Sequence, residues 1–333
     1  MLYNLFASMG WNALIGYAAV IVFASFLLFL VMPKWIKAMQ GEHHRVRDDV
    51  PERHQQKQGT PSMGGIPWMV VLMVIWLMLI DWHQPLLWMM MILVLGFMMI
   101  GAVDDWGKRH KKDLSARKKA LCQLVVALMI WVIASWYGLM PTDIWMPVIG
   151  TINVGYGYFI WGIFVLMGSS NASNLTDGLD GLLVGTWLTV VMGMWLCVVF
   201  LQPESLMMYH VFFSSMALTG LVFRHYNAHP ARIFMGDSAS IVLGPMLALI
   251  ALVLKIEWIF ALMAWVMVSE TLSVMIQVGS FKLRGKRVFK MAPIHHHFEL
   301  QGWSEATIVR RFVSASFIGV VVGCGCLYLV LNI

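Results

Sequence analysis

Charge is scarce in this chain. Lysine, arginine, aspartate and glutamate make up 12% of its 333 residues against 60% hydrophobic ones, and the mean hydropathy is +0.76. So little charge cannot dress the surface of a water-soluble domain, which excludes the soluble globular class. Cysteine is scarcer still. Cys122, Cys197, Cys324 and Cys326 all lie in apolar runs without a C-x-x-C pair, which excludes a disulfide framework and a cysteine-based zinc or redox centre. No Lys or Arg precedes Lys34, which follows the first apolar run, so that run reads as a retained helix and not a cleaved leader. Repeats, low-complexity tracts and loops long enough for a second domain are all missing, so residues 1–333 read as one membrane domain. No soluble basic region exists to engage nucleic acid.

What is abundant is apolar sequence in runs of membrane-crossing length. A crossing needs about 20 apolar residues. Ten runs qualify, near 11–32, 62–80, 86–103, 119–139, 156–172, 181–201, 209–226, 238–254, 256–279 and 309–330. The expected fold class is an all-α polytopic membrane protein of about ten transmembrane helices. The connections after runs one, three, five, seven and nine hold 6, 7, 0, 2 and 7 of the 23 Lys and Arg, and only Lys255 falls on the other face. Positive residues remain on the cytoplasmic side, so both termini are expected in the periplasm. The net charge of +6 follows from this asymmetry, with anionic lipid headgroups or phosphorylated substrates as its functional complement. The 28 Met and 16 Trp read as lipid-facing and packing bulk.

The polar residues gather in those connections. The third, Ser170 to Leu182, reads S-N-A-S-N-L-T-D-G-L-D-G-L and has no Lys or Arg, so it does not serve topology. Asp177 and Asp180, three apart, would share a helical face with Asn174, and such hard oxygen donors suit Mg²⁺. The plainer alternative is a polar loop with an Asp cap. The second connection opens D-D-W-G-K. Asp104 and Asp105 end an apolar run, where a carboxylate opposes the helix dipole, which points to chemistry or a cation. Adjacent carboxylates also raise one another's pKa, as a proton acceptor requires. Lys108 is close enough to meet a phosphate, while the basic run from Arg109 to Lys119 reads first as topogenic.

The fourth connection, N-A-H-P-A-R-I-F-M-G-D-S-A-S, brings Asn227, His229, Arg232, Phe234 and Asp237 within eleven residues. Asp237 either caps the next helix or is the remaining charged ligand for the same metal, and Phe234 offers a ring to a base. The first connection ends K-Q-G-T-P-S-M-G-G, with glycines for close approach and Lys57 for a phosphate. The last carries His295, His296 and His297 behind Pro293. Three consecutive histidines cannot close on one ion, so zinc is disfavoured and phosphate or sugar hydroxyls are the expected partners. Glu270 is the acidic exception inside a span. Polar groups collected at one interface argue for chemistry between a cytoplasmic compound and a lipid, and against a transporter, whose polar groups commonly lie near the midplane.

G-T-P-S-M-G-G at 59–65, D-D-W-G-K at 104–108, N-L-T-D-G-L-D-G-L at 174–182, N-A-H-P-A-R-I-F-M-G-D at 227–237, and Glu270 through M-A-P-I-H-H-H-F-E-L at 291–300 together resemble one family. It is the polyprenyl-phosphate N-acetylhexosamine-1-phosphate transferase superfamily, and within it the phospho-N-acetylmuramoyl-pentapeptide transferases (translocase I). The triple histidine after M-A-P separates these from relatives that use N-acetylglucosamine. Ser62 stands where Thr is usual, Trp106 where Tyr is, and S-A-S follows Asp237 where a Gly is often found. The resemblance implies Mg²⁺-dependent transfer of phospho-MurNAc-pentapeptide from UDP-MurNAc-pentapeptide to undecaprenyl phosphate. The products would be lipid I, for peptidoglycan synthesis, and UMP, made at the bacterial inner membrane. Alternatives are a polyprenyl-phosphate N-acetylglucosamine-1-phosphate transferase or, in a different class, a lipid-linked-sugar transporter.

The resemblance also implies roles. Asp104 and Asp105 lie near the lipid phosphate, one of them as base, and Asp237 with Asn174 holds Mg²⁺. Asp177, Asp180, Lys57, Asn227, Phe234 and Gln277 line the uridine and diphosphate site, with His295 and His296 near the phosphates. Ser62, Lys108 and His297 complete the substrate-binding set. Asp104, Asp105, Asp177, Asp237 and His295 form the catalytic set. The family's second lysine falls on Lys118 or Lys119. A homodimer is the candidate assembly.

Overall fold

A computed structural model describes residues 11–40, 59–110, 112–139, 141–146, 149–201 and 205–331. It is a helical bundle. In chain order the helices are α1 (Trp11–Met39), α2 (Gly65–Leu79), α3 (Pro85–Arg109), α4 (Ala116–Trp136), α5 (Gly157–Thr176), α6 (Leu182–Leu201) and α7 (Leu206–Asn227). They continue as α8 (Asp237–Leu254), α9 (Glu257–Met263), α10 (Trp265–Arg284), α11 (Ile294–Glu299) and α12 (Glu305–Leu331).

Each of the ten apolar runs folds as helix, as hydropathy alone dictates. Seven of the described helices are long and apolar enough to cross a membrane, and an eighth crossing counts if α9 and α10 are one span. The shortfall against ten expected crossings has physical causes. Helix α2 has only 15 residues. Helix α5 spends its C-terminal end on the polar S-S-N-A-S-N-L-T. The ninth run bends by 82° around Ala264, so α10 leaves the direction α9 set. One small departure from all-α is an antiparallel hairpin, β1 (Asp143–Met146) with β2 (Gly150–Asn153), pairing Asp143 with Asn153.

Helix α8 is the axis of the bundle. Every residue from Ser238 to Leu252 is buried, and small residues let its neighbours come close. A Cβ on Gly101 of α3 would stand 2.2 Å from the Asp237 carbonyl oxygen. One on Gly244 would stand 2.1 Å from the Ser169 carbonyl of α5, and one on Gly65 of α2 would stand 2.3 Å from Ala239 Cβ. Three helices therefore converge on the first turns of α8, and their polar ends arrive together.

The indoles divide between the two expected roles, with Trp136 exposed and others packed inside. Trp68, Trp76 and Trp187 are fully buried. Their N–H groups donate to Thr219 Oγ1, Ser215 Oγ and the Leu243 carbonyl, each at 2.9 Å, as a buried indole requires. The lipid-facing surface is supplied by side chains such as Phe23, Phe26, Leu30, Phe317 and Val321 on α1 and α12.

Candidate active site

The ends of α3, α5 and α7 and the beginnings of α4, α6, α8 and α12 meet at one pole. Asp104, at the end of α3, is buried and holds its loop by accepting the Leu114 N–H at 3.0 Å on Oδ1. Its Oδ2 lies 2.9 Å from Lys108 Nζ and 2.7 Å from Lys119 Nζ. The same two ammonium groups reach Asp237 Oδ2, at 3.0 and 2.7 Å. Three helices thus share two cations between two carboxylates.

Asp105 explains why Asp237 is available. Helix α8 begins after Gly236, which has no side chain to cap it. Asp105 reaches across from α3: its Oδ1 accepts the Asp237 N–H and its Oδ2 the Ser238 N–H, both at 3.1 Å. A carboxylate at a helix N-terminus satisfies orphan amides and meets the positive end of the dipole. Asp237 is therefore not the cap that one sequence reading allowed. The approach is so close that a Cβ on Gly236, at φ 74°, would fall 2.4 Å from Asp105 Oδ2. Ser62, buried beside Gly236, has a hydroxyl with no partner among the described residues.

Asn174 donates to Asp237 Oδ1 at 3.1 Å and to Ser240 Oγ at 2.8 Å. Asp177 caps the end of α5, so Asp177 and Asp180 occupy a turn instead of the single helical face that their spacing had implied. Burial pushes the Asp177 carboxyl well above the usual carboxylate range, and the nearby charges of Asp237, Asp105 and Asp180 push it further. Four carboxyl groups, Asp104, Asp105, Asp177 and Asp237, therefore crowd round two ammonium groups, and a divalent cation that displaced the Asp177 proton would offset their repulsion. Hard carboxylate and amide oxygens fit Mg²⁺.

Asp180 turns to another cluster. Its Oδ2 accepts the Ala231 N–H at 3.1 Å and lies 3.2 Å from His229 Nδ1, while its N–H donates to Glu305 Oε1 at 2.6 Å. The ligand atoms of Asp180, His229 and Glu305 lie within 4.8 Å of one another. Asn227 supports the same turn, accepting from Gly181 N–H at 3.2 Å and donating to the Ile233 carbonyl at 3.0 Å. Phe234 joins the 59–65 segment through backbone bonds, its N–H to the Pro61 carbonyl at 2.8 Å and its carbonyl from Gly64 N–H at 3.0 Å.

The three histidines diverge on the short helix α11. His295 is buried with Nδ1 3.1 Å from Glu270 Oε2. His296 pairs with Glu299 at 2.6 Å. His297 Nδ1 accepts the Lys290 N–H at 3.1 Å, within its own connection. Gln277 also serves that connection, accepting the N–H groups of Val288 and Phe289 at 2.9 and 3.0 Å. Neither His297 nor Gln277 joins the acidic cluster. Lys57 lies outside the described residues. The residues alone read Lys119 as one of a topogenic run and the resemblance left the second lysine at Lys118 or Lys119; Lys119 is the one that bridges Asp104 and Asp237, while Lys118 is exposed.

A cluster of carboxylates and lysines at one pole of an apolar bundle defines a multi-pass membrane protein with its chemistry at the membrane surface. The model of glycosyl transferase family 4 matches residues 87–255. The phospho-N-acetylmuramoyl-pentapeptide-transferase of Bacillus cytotoxicus is 40% identical over 92% of this chain and 95% of its own. Those of Bacillus subtilis and Granulibacter bethesdensis are 38% and 37% identical, over 84% and 88% of this chain and 87% of each relative. The chain belongs to glycosyl transferase family 4, in its phospho-N-acetylmuramoyl-pentapeptide-transferase branch, and is a phosphoglycosyl transferase.

Proposed function

We propose that the protein transfers phospho-MurNAc-pentapeptide from UDP-MurNAc-pentapeptide to undecaprenyl phosphate, releasing UMP and forming lipid I at the bacterial inner membrane. An oxygen of the lipid phosphate attacks the phosphorus bonded to the sugar. The bond from that phosphorus to the bridging oxygen breaks, and UMP leaves with that oxygen. The observation that carries the reading is the cluster of Asp104, Asp237, Lys108 and Lys119, all within 3.0 Å ion-pair contacts. Phosphoryl transfer needs alignment and charge stabilisation more than covalent help from protein.

The chain's own groups divide that work. Lys108 and Lys119 offer cationic donors to phosphate oxygens, and Asp105 holds the start of α8 so that Asp237 keeps its place. Both Asp105 oxygens accept amides, and those of Asp104 accept the Leu114 N–H and the two ammonium groups, so one of this adjacent pair serves as proton acceptor once substrate rearranges these contacts. Asp237 and Asn174, beside Asp177, would hold Mg²⁺, which when bound supplies charge across the diphosphate. The Asp177–Asp180 turn with Asn227 and Phe234 forms the nucleotide side, together with Lys57, and His295 and His296 face the phosphates. The whole chain acts as one membrane domain, its site pole cytoplasmic and its termini periplasmic, in keeping with the Lys and Arg distribution.

The test is UMP release by purified protein given Mg²⁺, UDP-MurNAc-pentapeptide and undecaprenyl phosphate. Turnover is expected, with EDTA abolishing it and Asp237→Ala lowering it by roughly 10²–10³-fold or more. A wild-type protein that releases no UMP, or an undiminished Asp237→Ala, would refute the reading.

A further inference from the structure

Glu270 is completely buried in α10, and a buried carboxylate needs a counter-group to offset its desolvation. No Lys or Arg among the described residues pairs with it. What it has is His295: Oε2 accepts the His295 backbone N–H at 3.4 Å and lies 3.1 Å from the ring Nδ1, an ion-pair distance without hydrogen-bond alignment. The chain bends by 82° before α10, and α10 packs against both α5 and α11. His295 is itself fully buried, and neither ring nitrogen makes a hydrogen bond among the described residues. Its Nε2 points at Gly178, where a Cβ would stand only 2.1 Å away. Glycine there leaves the opening that admits the ring, immediately after Asp177 and two residues before Asp180.

We propose that Glu270 is the positioning residue for His295. It anchors the His295 backbone N–H and sets a carboxylate charge beside Nδ1, which keeps the ring in place so that Nε2 is held at the Asp177–Asp180 turn for a phosphate oxygen of the sugar nucleotide. A carboxylate behind an imidazole orients it in this way in many sites. The inference rests on the transferase reading, because it takes the occupant of that turn to be a nucleoside diphosphate.

The experiment compares kcat and KM for UDP-MurNAc-pentapeptide in the wild type, Glu270→Gln, Glu270→Ala, Glu270→Asp, His295→Ala and the double variant Glu270→Gln/His295→Ala, with the melting temperature of each. Expected is a kcat loss of roughly 10–100-fold in Glu270→Gln and Glu270→Ala, with KM moving far less, and partial recovery in Glu270→Asp. The double variant should be no slower than His295→Ala, because the carboxylate acts only through the ring. Wild-type kcat in Glu270→Gln, losses that multiply in the double variant, or a Glu270→Gln protein that does not fold would each overturn the inference and assign Glu270 to stability alone. A fully active His295→Ala overturns it too, while the transferase reading stands. Absence of UMP release by the wild type defeats that reading instead.

Discussion

The two poles of the bundle treat buried carboxylates in opposite ways. At the far pole Glu257 is buried and its Oε1 takes the Tyr158 hydroxyl as donor, while Lys255 sits 3.9 Å from Asp143 of the hairpin. Glu257 has the one hydroxyl, while Asp143 also accepts from Asn153 Nδ2 at 2.6 Å, and neither acid shares its partners with the other. At the site pole Asp104 and Asp237 compete for the same two ammonium groups, with Asp105 and Asp177 crowded beside them. One arrangement gives each acid partners of its own; the other crowds four carboxyl groups round two ammonium groups. Stability and function therefore separate by pole, and mutations should sort the same way.

The sharpest contrast lies within the site pole, between adjacent lysines. Lys119→Met leaves Asp104 and Asp237 sharing Lys108 alone, and UMP release should fall roughly 10²–10³-fold, as for loss of a group that stabilises transition-state charge. Lys118 is exposed and holds its helix start only through its backbone N–H to Ser115 Oγ at 3.4 Å. Lys118→Met should change turnover by no more than about twofold, the range of an ordinary surface substitution. Equal losses in both would mean that the run acts as a diffuse positive surface and not through one bridging amine.

This distinction was not legible in the sequence. Hydropathy found all ten helical runs, because each apolar face must be buried or meet lipid, and the acidic and histidine-bearing connections marked the right pole. Which of two neighbouring lysines faces inward depends on the rotation of α4 against α3 and α8, a long-range quantity. The role of Asp105 had no local signal: G-D-S-A-S offers Asp237 itself as the cap, and only the approach of α3 brings Asp105 to the Asp237 and Ser238 amides. The 82° bend carries no proline or glycine at Ala264 to announce it. The hairpin strands D-I-W-M and G-T-I-N are four residues each, too short for alternation to register.

Asp177 tests whether the crowding of carboxyl groups costs stability. Its carboxyl lies well above the ordinary range, through burial first and then Asp237, Asp105 and Asp180. The folded state therefore holds a proton that the unfolded chain releases at lower pH. In the metal-free protein this contribution is favourable at low pH and is lost as pH rises from the ordinary carboxylate value through the raised one. Asp177→Asn should remove that loss. In EDTA its melting temperature should exceed that of the wild type at pH 8, with the gap closing toward pH 4, although UMP release collapses. A variant that melts lower than the wild type at pH 8 would show that the carboxylate is held by bonds worth more than the repulsion.

At the far pole the expected order reverses. Tyr158→Phe deletes the hydroxyl that serves Glu257 Oε1, and Glu257 Oε2 already lacks a partner among the described residues. A buried acceptor left unsatisfied costs about 1–3 kcal/mol, so the melting temperature should drop while kcat, read below the transition, stays near wild type. The double variant Tyr158→Phe/Glu257→Met removes both polar partners together, and most of the lost stability should return, because an apolar pair of similar shape carries no desolvation debt. Thermal melts of the three proteins with UMP release in parallel decide it. A fall in kcat matching the fall in stability would tie the two poles together and break the comparison, since nothing at this end of the bundle touches the carboxylates that face Lys108 and Lys119.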